Sequence, residues 1–220
     1  MLSHSPMITT DGLVLCLDAA NPRSYPGSGN SWLDLVTHSN SSLVNGASFS
    51  SVGNKGIFLD GTNDYVGFNK TLYFNLNTTF IFWLKFTGTD TNDYHLLNTN
   101  ITAYRDRARI SYTSIGFHNS EDVSSINFNF SEDIRNKYKQ IGITIDSSYA
   151  YLIEDGNISQ QTSVSFPHGS REYKTIGKQS SGSGWLYFNG IIYNFLFYNK
   201  TLSADEVRSN YLATKSRFGL

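Results

Sequence analysis

The segment WLYFNGIIYNFLFY at residues 185–198 decides the fold of this chain. Beyond Gly190, its apolar residues occupy both faces of the alternation that a β-strand produces. One face carries Ile191, Tyr193, Phe195 and Phe197, and the other carries Ile192, Leu196 and Tyr198. A strand with one face in water has polar residues at every second position. We therefore predict a long strand that is buried between two layers.

The residues after this strand predict one short helix. Ser203 and Glu206 have the spacing of a capping box, in which each side chain binds the backbone N–H of the other residue. Val207, Tyr211 and Leu212 then lie at helical spacing on one stripe. We expect this stripe to dock against the edge of a sheet.

This C-terminal part resembles the concanavalin A-like, laminin G-like jelly-roll domains, where a strand Phe-x-Gly-x-Ile-x-x-x-x-Ile-Tyr-Asn-x-x-Leu-Ser precedes a helix. The matching positions are Phe188, Gly190, Ile192, Phe197, Tyr198, Asn199, Leu202, Ser203 and Glu206. Residues 58–66 (FLDGTNDYV) and 12–21 (GLVLCLDAAN) resemble a hairpin and the opening strand of the same family. The resemblance covers nearly the whole chain. It implies an all-β fold, an antiparallel two-sheet jelly-roll sandwich with one short C-terminal helix.

Three further segments narrow the resemblance. Residues 25–27 (YPG), the motif Trp32-x-Asp34-Leu35 and residues 213–220 (ATKSRFGL) are similar to segments of proteins encoded by tailed bacteriophages. This implies a non-enzymatic virion protein, which is a capsid decoration, a fibre or a tail-surface component. The implied partners are other virion proteins and further copies of this chain in a homo-oligomer, contacted through the termini.

Composition indicates one domain with an aromatic core. Aromatic residues make up 15% of the 220 residues, and charged residues only 16%, so large rings must fill the interior. We divide the chain into an N-terminal extension (1–10), a jelly-roll domain (11–212) and a C-terminal tail (213–220). The expected core residues are Phe58, Trp83, Ile143 and Phe195. The residue expected to dock the helix is Tyr211.

Three internal segments have clear strand or turn patterns. In residues 79–86, Phe80, Phe82, Leu84 and Phe86 share one face, opposite Ile81, Trp83 and Lys85. Residues 139–145 alternate isoleucines with Gln140, Gly142 and Thr144. Asp155-Gly156 predicts a type I′ hairpin turn, because both central residues of that turn need positive φ.

Charge and targeting signals argue against several classes of partner. The formal net charge is -1, and nothing indicates nucleic acid. Arg105, Arg107 and Arg109 alternate along one segment, which predicts a solvated outer face in preference to a polyanion site. The N-terminus lacks the basic and apolar regions of a signal peptide, and no window has the length of a membrane span. We expect synthesis in the host cytoplasm and a final location on the virion surface.

The cysteine and the histidines suggest neither a disulfide nor a metal centre. The single cysteine, Cys16, lies in the apolar run of residues 13–17 and is expected to be a small buried hydrophobic residue. The five histidines are scattered singly, without the spacing of metal ligands.

The acidic residues do not form the pair that a glycosidase of this fold needs. The resemblance implies that such an enzyme carries two carboxylates on one strand face, about 5 to 5.5 Å apart. The adjacent acidic pairs are Glu121-Asp122, Glu132-Asp133, Glu154-Asp155 and Asp205-Glu206. Adjacent residues of a strand point to opposite faces, so we expect no enzymatic activity. The alternative is a glycoside hydrolase that has lost, or never had, its catalytic pair.

One predicted turn offers oxygen ligands for calcium. Asp60, Asn63 and Asp64 form the densest group of oxygen donors in the chain, and Ca²⁺ prefers such ligands. These residues are also typical turn formers whose side chains bind nearby backbone. We expect that no cofactor is required, with bound Ca²⁺ as the alternative.

A sugar site would need exposed aromatic rings. The candidates are Trp185, Tyr187, Tyr94 and Tyr104, with Phe117 beside them. Each of them could instead belong to the core, as aromatic strand residues usually do. Two functions therefore remain at this stage. The first is a virion structural protein with glycan-adhesion capacity, and the second is a calcium-assisted carbohydrate-binding lectin module that recognises a cell-surface glycan.

Overall fold

The computed structural model describes residues 6–51, 53–89, 93–98, 107–118, 125–164, 171–178 and 186–220. The strands, in chain order, are β1 Leu13–Asp18, β2 Ser31–Leu33, β3 Asn40–Val44, β4 Ser48–Ser50, β5 Gly56–Asp60, β6 Tyr65–Phe74, β7 Thr78–Phe86, β8 Tyr94–Asn98, β9 Arg107–Ile110, β10 Ser114–His118, β11 Ser125–Asn129, β12 Tyr138–Ile145, β13 Tyr149–Glu154, β14 Asn157–Ser163, β15 Arg171–Ile176, β16 Leu186–Tyr187 and β17 Asn189–Tyr198. They are followed by the helix α1, Ala204–Thr214, and a 3-10 helix, Lys215–Phe218.

The strands form two sheets that pack face to face. The first sheet has the order β14-β13-β12-β7-β17-β5-β4, with β1 also paired to β17, and the second has the order β11-β10-β9-β8-β15-β6-β3-β2, with β16 beside β8. Rings from the two sheets meet between them: Phe68 stacks on Phe195, with ring centroids 5.9 Å apart. This confirms the predicted antiparallel jelly-roll sandwich.

The central strand β7 has the predicted two faces. Phe80, Phe82, Leu84 and Phe86 lie in the core between the sheets, whereas Ile81 and Trp83 lie on the opposite, outer face of the first sheet. The neighbouring strand β12 contributes its isoleucines to the same core. The expected core residues Trp83, Ile143 and Phe195 are all at most 1% exposed.

The strand β17 is buried on both faces, as predicted, but the prediction of its faces was wrong. Ile192 pairs with Leu84 and Asn194 pairs with Trp83, so Tyr193 is an extra residue in a β-bulge. The bulge changes the phase of the alternation. Ile192 consequently joins Phe195 on the core side, and Tyr193 lies on the outer side.

Phe58 corrects the predicted core. Its neighbours Ile57 and Leu59 are fully buried, and Phe58 itself points to the outer face of the first sheet, where it is 37% exposed. Because Ile57 and Leu59 face the core, alternation on β5 places the Phe58 ring on the opposite face.

The predicted cap and turn are present. The Ser203 side chain accepts a hydrogen bond from the Glu206 N–H, with an N···O distance of 3.3 Å. A Glu206 carboxylate oxygen accepts one from the Ser203 N–H at 2.9 Å. Asp155 and Gly156 have φ values of 47° and 78°, as a type I′ turn requires.

The helix α1 lies on the outer face of the first sheet, where the sequence predicted only contact with an edge. Val207 packs in a cluster with Ile81 and Leu196, and Tyr211 stacks on Trp83 with centroids 5.6 Å apart. Leu212 is only half-buried; the buried positions of the helix are Val207, Asn210 and Thr214. No helix among the described residues is long and apolar enough to cross a bilayer.

The segments predicted as extensions pack on the sandwich where the structure describes them. Thr9 N–H donates to Asn210 Oδ1 (2.7 Å), and the Tyr198 hydroxyl donates to the Thr9 carbonyl (3.0 Å). Near the C-terminus, the ring of Phe218 stacks on Trp83 with centroids 4.2 Å apart. Residues 7–10 and 214–218 therefore lie on the helix side of the molecule.

The prediction that Cys16 is a small buried residue is confirmed. It is 4% exposed and lies in the cluster beneath α1. Burial, with a smaller effect of Asp18 and Asp34, raises the pKa of its thiol to about 12, so the thiol is inert at neutral pH.

Candidate functional site

A row of polar and small residues crosses the outer face of the second sheet. We call it the Arg107 row. Its members are successive partners on β9, β8, β15, β6, β3 and β2, namely Arg107, Asn98, Thr175, Gly67, Ser42 and Ser31.

A second row lies beside the first on the same face. We call it the Arg109 row. It crosses β11, β10, β9, β8 and β16 through Asn127, Gly116, Arg109, His95 and Tyr187. The two rows together are called the outer polar face.

Alternation along short strands produces this face. Ala108 and Ile110 of β9 point into the core between the sheets, so Arg107 and Arg109 point outward. The same alternation on β11 directs Asn127 outward between two core residues.

Gly116 allows two side chains to meet above β10. Arg109 Nη2 donates to Asn127 Oδ1 at 3.1 Å, across the strand that carries Gly116. A Cβ atom at Gly116 would lie 2.2 Å from Asn127 Oδ1 and 3.3 Å from Arg109 Nε. Arg109 also forms an ion pair with Asp93, so its guanidinium is held in a defined position.

The centre of the outer polar face is buried, and one end is open. His95, Asn98, Thr175 and Arg107 are each at most 3% exposed. Asn98 Nδ2 donates to the Lys178 carbonyl at 3.0 Å and lies 3.3 Å from His95 Nδ1. At the other end, the side chains of Ser42 and Ser31 are exposed. The groups of this face that reach solvent are the Asn127 amide, part of the Arg109 guanidinium and the hydroxyls of Ser42 and Ser31, and such groups bind sugar hydroxyls.

The predicted sugar-binding aromatics separate in the structure. Tyr187 pairs with His95 and lies half-buried on the outer polar face. The prediction for Tyr94 is corrected: it is 4% exposed, and its ring packs edge-on against Phe86 in the core. Phe117 also lies in the core, stacked on Phe74. Trp185 and Tyr104 lie outside the described residues.

The arginine cluster differs from its prediction. Arg107 is 3% exposed, so it does not belong to a solvated face. The Arg109 side chain is 16% exposed and is paired with Asp93. Alternation placed these residues on the outer face correctly, but that face is covered at β8 and β9. Arg105 lies outside the described residues.

Two of the three predicted calcium ligands bind the backbone of their own turn through their side chains. Asp60 Oδ1 accepts from the Thr62 N–H (2.8 Å), and Asp64 Oδ2 accepts from the Asp60 N–H (3.2 Å). The Asn63 carbonyl accepts from the Asn45 side chain at 3.0 Å. Burial raises the pKa of the Asp64 carboxyl, which opposes the charged form that calcium needs. Within the described ranges, no three His, Cys, Asp or Glu side chains are placed to hold a metal ion.

The adjacent acids Glu154 and Asp155 converge on one lysine. Lys139 Nζ lies 3.3 Å from Glu154 Oε1 and 2.7 Å from Asp155 Oδ2, and it also contacts Glu132. The expectation that these two acids point apart was wrong, because Asp155 belongs to the turn and not to the strand. Hydrogen bonds from Lys137 and Lys139 lower the pKa of Glu132 to about 2. These carboxylates are ion-pair partners of Lys139.

Sequence reasoning did not place His95, Asn98 and Thr175 together on the outer polar face. All three are polar residues in otherwise apolar strands, and this was the available signal. The irregular pairing of β8 with β9 between His95 and Leu97 hides their common face, because it interrupts the simple alternation.

A family model for Laminin_G_3, described as the Concanavalin A-like lectin/glucanases superfamily, matches residues 60–208. The match covers more than half of the chain. This protein therefore belongs to the concanavalin A-like lectin/glucanase superfamily. A comparison with curated protein sequences found no match.

Solved structures share the fold at low sequence identity. A Trypanosoma rangeli sialidase in complex with sialic acid is 15% identical, with a TM-score of 0.68; the match covers 96% of this chain and 34% of the sialidase. The ligand-binding domain of botulinum neurotoxin serotype D, in complex with N-acetylneuraminic acid, is 16% identical with a TM-score of 0.69, over 93% and 51% of the two chains. The binding domain of serotype G is 18% identical with a TM-score of 0.67, again over 93% and 51%. This chain thus spans about a third to a half of those proteins.

Proposed function

We propose that this protein is a non-enzymatic, carbohydrate-binding sandwich module on the surface of a bacteriophage virion, and that it binds glycan at the outer polar face. The observation that carries the proposal is the Arg109 row, in which exposed Asn127, partly exposed Arg109 and Tyr187 lie on one sheet face. The buried polar residues His95, Asn98, Thr175 and Arg107 lie beside them in the same sheet. Tyr187 adds a half-buried ring beside His95.

The chemistry of this face suits a sugar. Hydroxyl groups both donate and accept hydrogen bonds, and the face offers guanidinium and amide donors together with amide and hydroxyl acceptors. A tyrosine ring supplies the apolar surface on which a pyranose stacks. Two proteins that share the fold were solved with sialic acid, which supports a glycan as the ligand class.

The absence of catalysis is proposed from the acidic residues. Glu132, Glu154 and Asp155 surround Lys139. They form ion pairs with this lysine and do not flank an open cleft. A retaining glycosidase needs one carboxylic acid with a raised pKa and one free nucleophile. The lowered pKa of Glu132 is the opposite of what a general acid requires.

The virion location is proposed from the sequence resemblance to phage-encoded proteins. Residues 214–218 pack on their own sandwich, so docking on a neighbouring virion protein through this segment would require its release. Contacts through other surfaces would leave it in place. Calcium remains an alternative aid to binding.

The test is a glycan array probed with the full chain and three variants. We expect binding to a defined glycan, reduced at least tenfold by Tyr187→Ala and by Asn127→Ala. Tyr149→Ala is the matched control, because Tyr149 is an exposed tyrosine on the first sheet. Equal loss in all three variants, or no loss in the first two, would contradict a glycan site on the outer polar face.

Analytical ultracentrifugation of the same samples tests the structural role. A stable oligomer that binds no glycan would support a virion structural protein without adhesion. A monomer that binds glycan would make carbohydrate recognition its primary function.

A further inference from the structure

A third polar row crosses the outer face of the first sheet, opposite the outer polar face. Asp18 on β1 pairs with Asn194 on β17, which pairs with Trp83 on β7, which pairs with Gln140 on β12. We call these four residues the Trp83 row. It places a carboxylate and an amide on one side of an indole ring and a second amide on the other side.

The C-terminal segment, residues 214–220, covers Trp83 and Asp18 of this row, and Tyr211 of α1 also stacks on Trp83. The ring of Phe218 lies 4.2 Å from the ring of Trp83, at an interplanar angle of 20°. Trp83 Nε1 donates to Thr214 Oγ1 at 2.7 Å. Arg217 Nη1 donates to Asp18 Oδ2, and Nη2 lies beside Oδ1, both at 3.0 Å. The segment therefore satisfies the indole and the carboxylate.

The same segment does not satisfy the two amides. Gln140 is 1% exposed, and neither its Oε1 nor its Nε2 has a hydrogen-bond partner among the described residues. Asn194 is 3% exposed, and its Oδ1 likewise has no partner there. A buried amide without partners is unfavourable and calls for a physical explanation. The present occupant fits the ring and the charge of the row but not its amides.

We propose that the Trp83 row is a second carbohydrate-binding site, for a neutral pyranose, and that the C-terminal segment closes it. A pyranose has a C–H face that stacks on an aromatic ring as Phe218 does, and it has hydroxyls at its edge that amides bind. When Arg217 leaves, the remaining Asp18 carboxylate repels an anion. The site therefore selects a neutral hexose or N-acetylhexosamine over an acidic sugar.

The segment is suited to opening. It is a single 3-10 turn at the end of the chain, followed by Gly219 with φ 73° and by Leu220, which is 51% exposed. Beyond Thr214, its contacts with the Trp83 row are the Phe218 ring and the Arg217 ion pair. Loss of these two contacts uncovers the part of the Trp83 ring that Phe218 occupies and frees the Asp18 carboxylate without disturbing a strand, while Tyr211 of α1 stays stacked on Trp83.

The experiment compares the wild-type chain with the double variant Arg217→Ala/Phe218→Ala. N-acetylglucosamine, methyl galactoside and N-acetylneuraminic acid are titrated by calorimetry and by tryptophan fluorescence. We expect the double variant to bind one of the two neutral sugars at least tenfold more tightly than the wild type does, and to gain no affinity for the acidic sugar. If the double variant does not fold, Arg217→Gln is used, because it keeps the aromatic stack. We expect it to bind the same neutral sugar more tightly than the wild type does, but with a smaller increase in affinity. A folded open variant that binds neither neutral sugar would overturn the proposal.

Gln140→Met separates a ligand site from a hydrated core. If the amide serves a sugar, Gln140→Met raises the melting temperature of the wild type and removes the gain of the open variant. A lower melting temperature together with an unchanged gain would show that the amide serves the closed fold, and would overturn the role assigned to it. Tyr187→Ala in the open background should leave this binding intact, so that failure here and failure of the glycan site on the second sheet are distinguishable.

Discussion

Gly142 lies in the middle of β12, where its missing side chain makes room for the neighbouring strand. A Cβ atom there would lie 2.1 Å from the Phe80 carbonyl oxygen. Since this is backbone in the centre of a sheet, we expect Gly142→Ala to lower the free energy of unfolding by ~1–3 kcal/mol or more, as overpacking does. Urea denaturation measures it. Gly67→Ala is the control, because its nearest neighbour would be 3.7 Å away; equal losses in both variants would contradict the steric explanation.

Asp146 makes a pH-dependent contribution to stability. Hydrogen bonds from the backbone N–H groups of Ser148 and Tyr149 lower the pKa of its carboxyl. The carboxylate thus stabilises the fold above its unfolded pKa of about 4, and this contribution is lost as the pH falls through the lower, folded pKa. We expect Asp146→Ala to cost about 1 kcal/mol at pH 7 and progressively less in acid. Chemical denaturation across pH measures the difference, and Ser147→Ala should show no such dependence.

Calcium is tested at Asp60, Asn63 and Asp64. Because two of these side chains bind the backbone of their own turn, we expect the same melting temperature in calcium and in a chelator. Differential scanning calorimetry measures it. A higher melting temperature in calcium that Asp60→Asn abolishes would instead identify these residues as ligands.

At the scale of one element, the capping box of α1 holds the helix start. We expect Ser203→Ala to lower the free energy of unfolding by ~1 kcal/mol, the usual cost of losing such a cap. Ser203→Thr keeps a hydroxyl at the position and should be nearly neutral. Thermal unfolding of the three chains decides between them; an equal effect of both substitutions would mean that the side-chain bond to Glu206 does not stabilise the helix.

Most elements could be predicted because their determinants are local. The capping box, the Asp155-Gly156 turn and the alternation of β7 each depend on residues close together in the chain. The bulge at Tyr193 could not, because apolar residues on both faces of β17 carry no signal of phase. The outer polar face was predicted only through Tyr187 and the alternation of the arginines, since its other members come together through pairing between distant strands.

At the scale of the whole molecule, the N-terminal segment contributes to the fold. Thr9 binds both Asn210 and Tyr198, which are buried beneath it. We expect deletion of residues 1–10 to lower the free energy of unfolding by ~1–3 kcal/mol, because these polar groups lose partners. Met7→Ala is the control, since its side chain is 74% exposed. An unchanged melting temperature after the deletion would show that the segment is dispensable.

The molecule has two unlike sides. Residues 7–10, α1 and the 3-10 helix lie on the first sheet, and the outer polar face lies on the second. If an affinity tag is attached next to residue 7 or next to residue 218, a biosensor chip that captures the tag holds the protein by its helix side. The outer polar face on the second sheet would then be exposed to the flowing analyte. Random coupling through surface lysines would instead expose either side of the molecule.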